Sequence, residues 1–218
     1  MSGNGSKAVP RLVVGLGNPG PDYSETRHNA GFWFCEGLAR KLGITLNREA
    51  RFNGFTGSSR ADGITVLLPQ TFMNRSGQSV GALARFFRIA PAEILVVHDE
   101  LDIAPGELRL KFGGGLGGHN GLKDISAHLS THDYWRLRIG IGHPRDRAPG
   151  TEVADYVLHR PRIEEQQDID AAIARALDAW PMIAAGDWTR VSTLLNAKPG
   201  AGKAPKASTQ ASTQGKQS

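Results

Sequence analysis

Cysteine occurs once in the 218 residues, at Cys35. No internal disulfide can form, and a reducing cytoplasm is the expected compartment. Cys35 sits in the apolar run "GFWFCEGLA", which predicts a buried, inert thiol rather than a nucleophile. No run approaches the roughly 18 apolar residues that a membrane-spanning helix needs. The opening "MSGNGSKAVP" lacks the apolar centre of a secretory signal, so no leader is expected. Neither H-E-x-x-H nor a paired-cysteine spacing occurs, which removes the common zinc signatures.

Excess charge is also missing from most of the chain. The formal net charge is +5, but Lys7 and the four lysines of residues 197–218 account for all of it. Residues 8–196 are formally neutral, so any nucleic-acid site there must be a local patch. The stretch "KPGAGKAPKASTQASTQGKQS" is rich in Pro, Gly, Ser, Thr, Gln and Lys and predicts a disordered basic tail over residues 197–218. Residues 1–8 predict a short flexible extension. One domain over residues 9–196 is expected between them.

"RLVVGLG", "GITVLLP" and "EILVVHD" read as buried strands. "WRLRIGIG" alternates, with Leu137, Ile139 and Ile141 on one face and Arg136, Arg138 and Gly140 on the other. Helical patterns run from about Ser24 to Leu42, Ser76 to Phe87, Leu122 to Leu129 and Ile163 to Ala185. Strands alternating with helices predict an α/β fold, with a twisted, mixed, largely parallel sheet flanked by helices. In such folds the active site is expected at the C-terminal edge of the strands.

"VVGLGNPG" carries the G-x-G-x-x-G spacing of a dinucleotide-binding turn at Gly15, Gly17 and Gly20. Pro19 and Pro21 do not suit a helix opening at the second glycine, and no acid stands where a ribose would need one. The alternative is that the glycines let Asn18 emerge at a strand's end. Its side chain would suit a peptide backbone, or would simply close an Asx-turn.

Polar residues recur at such ends: Asn18, His28, Asn74, Asp99 and Asn120. His28 and Asp99 form a possible base and orienter, because a carboxylate on one imidazole nitrogen frees the other to take a proton. No serine or cysteine is placed as a nucleophile, so the pair points to an activated water. Asn74 and Asn120 would donate to a developing oxyanion. The rival reading of "HDELD" is a metal site from His98, Asp99, Glu100 and Asp102, joined by His119. The glycine-rich "GGGLGGHNG" is either a flexible surface loop or a segment that meets a ligand closely. Arg109, Lys111, Arg138, His143, Arg145 and Arg147 surround it in sequence, and this local basic patch suits phosphate.

The segments "GLGNPGPDYSETRHNAGF", "LLPQTFMNRSGQSV", "VVHDELDIAPGELRLKFGGGLGGHNGLKDI" and "WRLRIGIGHP" together resemble the bacterial peptidyl-tRNA hydrolase family. The resemblance implies hydrolysis of the ester between a peptide and the 3′ ribose of tRNA, which recycles tRNA from prematurely released peptidyl-tRNA. It implies His28 as the catalytic base and Asp99 as its support. Asn18 would contact the peptide and help reject substrates with a free α-amino group. Asn74 and Asn120 would hold the ester and the tRNA end, with Tyr23, Phe72 and Met73 lining the cleft. Lys111 and Arg138 would clamp the tRNA 5′ phosphate. The family implies a monomer with no metal and no organic cofactor. An RNA-binding module without chemistry is the alternative from another class.

Overall fold

The computed structural model describes residues 8–198. Apart from Ala8 and residues 197–198, the expected extension and basic tail lie outside the described residues. Seven strands form one sheet: β1 (Leu12–Gly15), β2 (Asn47–Glu49), β3 (Gly54–Ser59), β4 (Ile64–Pro69), β5 (Ile94–Glu100), β6 (Leu108–Phe112) and β7 (Trp135–Gly140). Their order is β2-β3-β4-β1-β5-β7-β6. The four central strands pair in parallel. The flanking pairs β2–β3, β3–β4 and β6–β7 are antiparallel, so the sheet is mixed. The central strands are buried at nearly every position because helices cover both faces.

On one face lie α2 (Ser76–Phe87) and α3 (Asn120–Leu129), packed on Leu12, Val14, Leu67 and Val96. On the other lie α1 (Ala30–Leu42), α6 (Ile163–Asp178), α7 (Trp180–Ala184) and α8 (Trp188–Asn196), packed on Val13, Leu95, Val97, Leu137 and Ile139. Trp188 stacks on Trp135 with ring centroids 4.1 Å apart, and its indole N–H donates to the Ala8 carbonyl at 2.9 Å. Two short helices, α4 (Pro144–Arg147) and α5 (Val153–Val157), follow β7. Cys35 is fully buried in α1, and burial pushes its thiol pKa up.

The glycines after β1 serve packing. A Cβ on Gly15 would collide with the Gly31 carbonyl. One on Gly17 would come within 2.7 Å of the Phe32 ring. They let β1 press against the start of α1, and no helix opens at the second glycine.

Several element boundaries differ from those expected. Helix α2 spans the predicted residues. The first helix ends at Gly43, in the left-handed region as its composition suggests, but begins only at Ala30. Residues Arg27–Asn29 form a 3-10 turn, so His28 precedes the helix rather than lying in its first turns. Helix α3 begins two residues early, because His119 caps it by accepting from the Gly121 N–H. The long C-terminal pattern breaks at Ala179, and Pro181 sits in the first turn of the next helix. The structure adds the strands β2, β3 and β6 and the helix α8 to the elements expected from the sequence.

Candidate active site

The candidate site lies at the C-terminal ends of the adjacent parallel strands β1 and β5. Asp99 lies near the end of β5, 3% exposed. His28 Nδ1 donates to it, 2.9 Å from Oδ1 and 3.0 Å from Oδ2. A second imidazole meets the same carboxylate: His119 Nε2 lies 3.0 Å from Asp99 Oδ1. His119 Nδ1 accepts from the Gly121 N–H at 3.2 Å, which leaves the proton on Nε2. The donor and acceptor roles therefore run in one direction. The Gly121 amide sets His119, His119 and His28 donate to Asp99, and His28 Nε2 keeps its lone pair.

Electrostatics agree with this order. Burial works against the Asp99 charge, but His28 and His119 outweigh it and hold the carboxyl well below its usual range. Burial likewise opposes protonation of His28, yet the Asp99 charge and hydrogen bond prevail and raise its pKa. His98 goes the other way: full burial, with His119 beside it, keeps it neutral. Its Nδ1 donates to the Asp99 carbonyl at 2.7 Å.

The His28 turn is anchored from behind. Arg27 is buried, pairs with Glu165 at 2.8 Å and lies 4.0 Å over the Tyr156 ring. It also donates to the Tyr156 and His159 carbonyls. In front, Asn29 and Asn18 exchange two hydrogen bonds, at 2.8 Å and 3.0 Å, through the Asn29 side chain and the Asn18 backbone. The Asn18 side-chain oxygen accepts from the Met73 N–H at 2.8 Å. Only its amide N–H groups remain to meet a ligand, and they are donors suited to carbonyl oxygens.

A cavity of about 440 Å³ exposes His28, Asp99, Glu100, His119 and Asn120 between the glycine-rich loop and α5. Of the other predicted residues, Asn74 and Phe72 are exposed on the turn after β4. Phe72 meets Tyr23 edge to face at 6.5 Å. Met73 is buried beneath them. The side chains of Asn74 and Asn120 make no hydrogen bond among the described residues, so their amides are available.

Lys111 and Arg138 share one face of the β6–β7 pair, since Arg109 opposes Arg138 and Lys111 opposes Arg136. Arg138 is steadied by Glu100 at 2.9 Å. Arg109 is paired with Glu107, and Arg145 with Asp102 and Asp146. Of the basic patch suggested by the sequence, Arg109 and Arg145 are thus paired with carboxylates, Arg138 is held by Glu100, and Lys111 and Arg147 have no carboxylate partner among the described residues. Arg136, expected on the polar face, is buried and donates to the Gly113 and Gly115 carbonyls, tying down the start of the glycine-rich loop.

The metal constellation does not assemble as the sequence suggested. Among the described residues, the ligand atoms that converge belong to His28, Asp99 and His119, within 4.8 Å. The histidine nitrogens facing the carboxylate carry protons in the hydrogen-bond scheme above, so neither offers a lone pair there. Glu100 and Asp102 are engaged with Arg138 and Arg145.

Arg27, Asn29 and Glu165 escaped the sequence reading, as did the hydrogen-bonding role of His119. Arg27 and Asn29 flank His28 directly, a local signal that was available. Glu165 lies 138 residues from Arg27 and has no such signal.

The family described as peptidyl-tRNA hydrolase matches residues 12–203. A peptidyl-tRNA hydrolase of Aromatoleum aromaticum is 70% identical over 196 residues, covering 90% of this chain and 98% of its own. One from Azoarcus sp. strain BH72 is 67% identical over 194 residues, covering 89% and 88%. A crystal structure of peptidyl-tRNA hydrolase from Acinetobacter baumannii superimposes with a TM-score of 0.82 at 47% identity, covering 90% of this chain and 98% of that one.

Proposed function

The chain belongs to the peptidyl-tRNA hydrolase family, and we propose that His28 is the general base of its ester hydrolysis. The activity is that of a carboxylic ester hydrolase acting on peptidyl-tRNA. One observation carries the residue assignment: Asp99, oriented by His119, holds the His28 Nδ1–H at 2.9 Å and leaves Nε2 with its lone pair.

In this reading a water in the His28 cavity gives a proton to Nε2 as its oxygen attacks the ester carbonyl. The imidazolium is stabilised by Asp99. The tetrahedral intermediate places negative charge on the former carbonyl oxygen, and the amides of Asn120 and Asn74 donate to it. Collapse breaks the bond to the 3′ oxygen of the ribose. That oxygen takes the proton from His28, releasing tRNA and the peptide acid, whose carboxyl loses the second proton of the water to solvent. The Asn18 amide donates to the peptide. Tyr23 and Phe72 form the wall on which the tRNA end rests, with Met73 packed beneath them. Lys111 and Arg138 hold the 5′ phosphate of the acceptor stem, Arg138 as a planar fork aimed by Glu100.

Release of the amino acid from an N-acetylated aminoacyl-tRNA tests the reading. Wild type hydrolyses it, and added chelator leaves the rate unchanged. His28→Ala loses about 10²–10⁴-fold in kcat, the usual worth of a positioned base, while tRNA binding persists. Full turnover by His28→Ala would remove His28 from the mechanism. Binding without release by wild type would make the chain an RNA-binding module instead.

A further inference from the structure

A smaller cavity, about 230 Å³, opens beside Asn18, outside the one that holds His28. Phe32, Trp33, Phe55 and Gln70 line it, and Glu36 is its only ionisable residue. Trp33 and Glu36 also line a third cavity of about 520 Å³, between α1 and the start of α6. The two cavities flank the same stretch of α1, Trp33 to Glu36, and outline a trough along it. Its smaller part contains neither lysine nor arginine, so a polyanion finds no counter-charge there.

The sheet order decides what the trough faces. Phe55 belongs to β3 and Leu68, also in its wall, to β4. Lys111 and Arg138 stand on β6 and β7, at the opposite end of the sheet. Between them lie β1 and β5, whose ends carry Asn18 and Asp99. A substrate whose ester sits at His28 and whose phosphate sits on the cations has its other arm directed past Asn18. The free amide of Asn18 marks the entrance with donors that suit peptide carbonyls.

We propose that this trough binds the peptide moiety beyond its esterified residue, and that Glu36 favours a basic side chain there. This inference rests on the ester hydrolysis proposed above. Trp33 and Phe55 supply apolar surface to an extended chain. Phe55 is 36% exposed, so a peptide lying on it buries ring surface that is now wet. Arg40 borders only the larger cavity, where Glu25 is paired with Arg160 and the remaining acids, Glu36 and Asp170, outnumber Arg40.

The test compares three substrates on the same tRNA. Two are N-acetylated pentapeptidyl-tRNAs with lysines or glutamates upstream of a shared C-terminal residue. The third is the N-acetylated aminoacyl-tRNA of that residue. Wild type should show a kcat/KM about 2- to 5-fold higher for the lysine peptide, as one exposed ion pair contributes. Glu36→Lys should reverse that order. Phe55→Ala should lower kcat/KM about 3- to 10-fold for both pentapeptides, as partial burial of one ring contributes. Both variants should leave the short substrate unchanged. An unchanged order in Glu36→Lys, or equal losses on all three substrates, overturns the subsite while the hydrolase stands. No release by wild type from any substrate overturns the function, and the subsite with it.

Discussion

The floor and the rim of the His28 cleft are built on opposite terms. On the floor, Asp99, His119 and Asn29 are inaccessible or nearly so, and their side chains are engaged in hydrogen bonds with neighbours. The residues proposed to meet the substrate at the rim, Asn74, Asn120 and Lys111, are exposed, and their side chains make no hydrogen bond or ion pair among the described residues. The floor must hold one protonation pattern through every turnover, and satisfied hydrogen bonds in a low dielectric do that. Under the proposed function the rim binds and releases a large polyanion, and donors already saturated by protein could not. Arg138 lies between these extremes, half-buried and aimed by Glu100, yet with part of its guanidinium free.

The contrast is broken most severely at its centre. Asp99→Asn should lower kcat on the order of 10⁴-fold, because an amide donating to His28 Nδ1 moves the ring proton to Nε2. The wild-type kcat/KM should fall as pH drops through the raised His28 pKa, an acid limb above the ordinary value of about 6.5. In Asp99→Asn the raising charge is gone and burial remains, so any residual activity should show its limb at lower pH. An unmoved limb would mean that His28 is not the titrating group.

Breaking the support behind the floor comes next. Arg27→Met strands Glu165 without its partner and should cost about 3–5 kcal/mol of folding stability, read from denaturant unfolding. A loss below about 1 kcal/mol would show that the pair does not anchor the turn. Asn120→Ala, on the rim, should leave stability intact and lower kcat by up to about 10²–10³-fold if its amide meets the oxyanion. An unchanged kcat would assign that task to Asn74 alone. The smallest effect is at Lys111. Lys111→Ala should raise KM for tRNA substrates and reduce the salt dependence of binding by about one counterion in the log–log slope. Equal slopes in wild type and variant would place the phosphate elsewhere.

Much of this arrangement was legible along the chain. The central strands are marked by short β-branched runs, and α2 by its period and bounds. The residues His28, Asp99, Asn18, Asn74 and Asn120 stand out because strand ends and glycine-rich turns are where polar groups can reach a ligand. The strands β2 and β3 were less visible, because β2 is only three residues long and polar and β3 carries two glycines and two serines in place of an apolar run. Arg27 and Arg136 look like surface cations in sequence. Their burial depends on Glu165 and on the glycine-rich loop carbonyls, partners supplied by chain far away.

The sequence by itself determined the fold class, the strands that bear the site and the residue types available to it. Periodicity, glycine positions and polar strand ends are local properties and need no third dimension. Only the tertiary structure gives three neighbouring histidines different hydrogen-bond partners, and those partners support His28 as the proposed base. His28, His98 and His119 differ little as residues. Packing gives His28 a charged partner and an open nitrogen, ties His119 to a helix N-terminal amide, and buries His98 neutral. A proton's place depends on hydrogen bonds and dielectric, and both are set by atoms that the chain brings together only on folding.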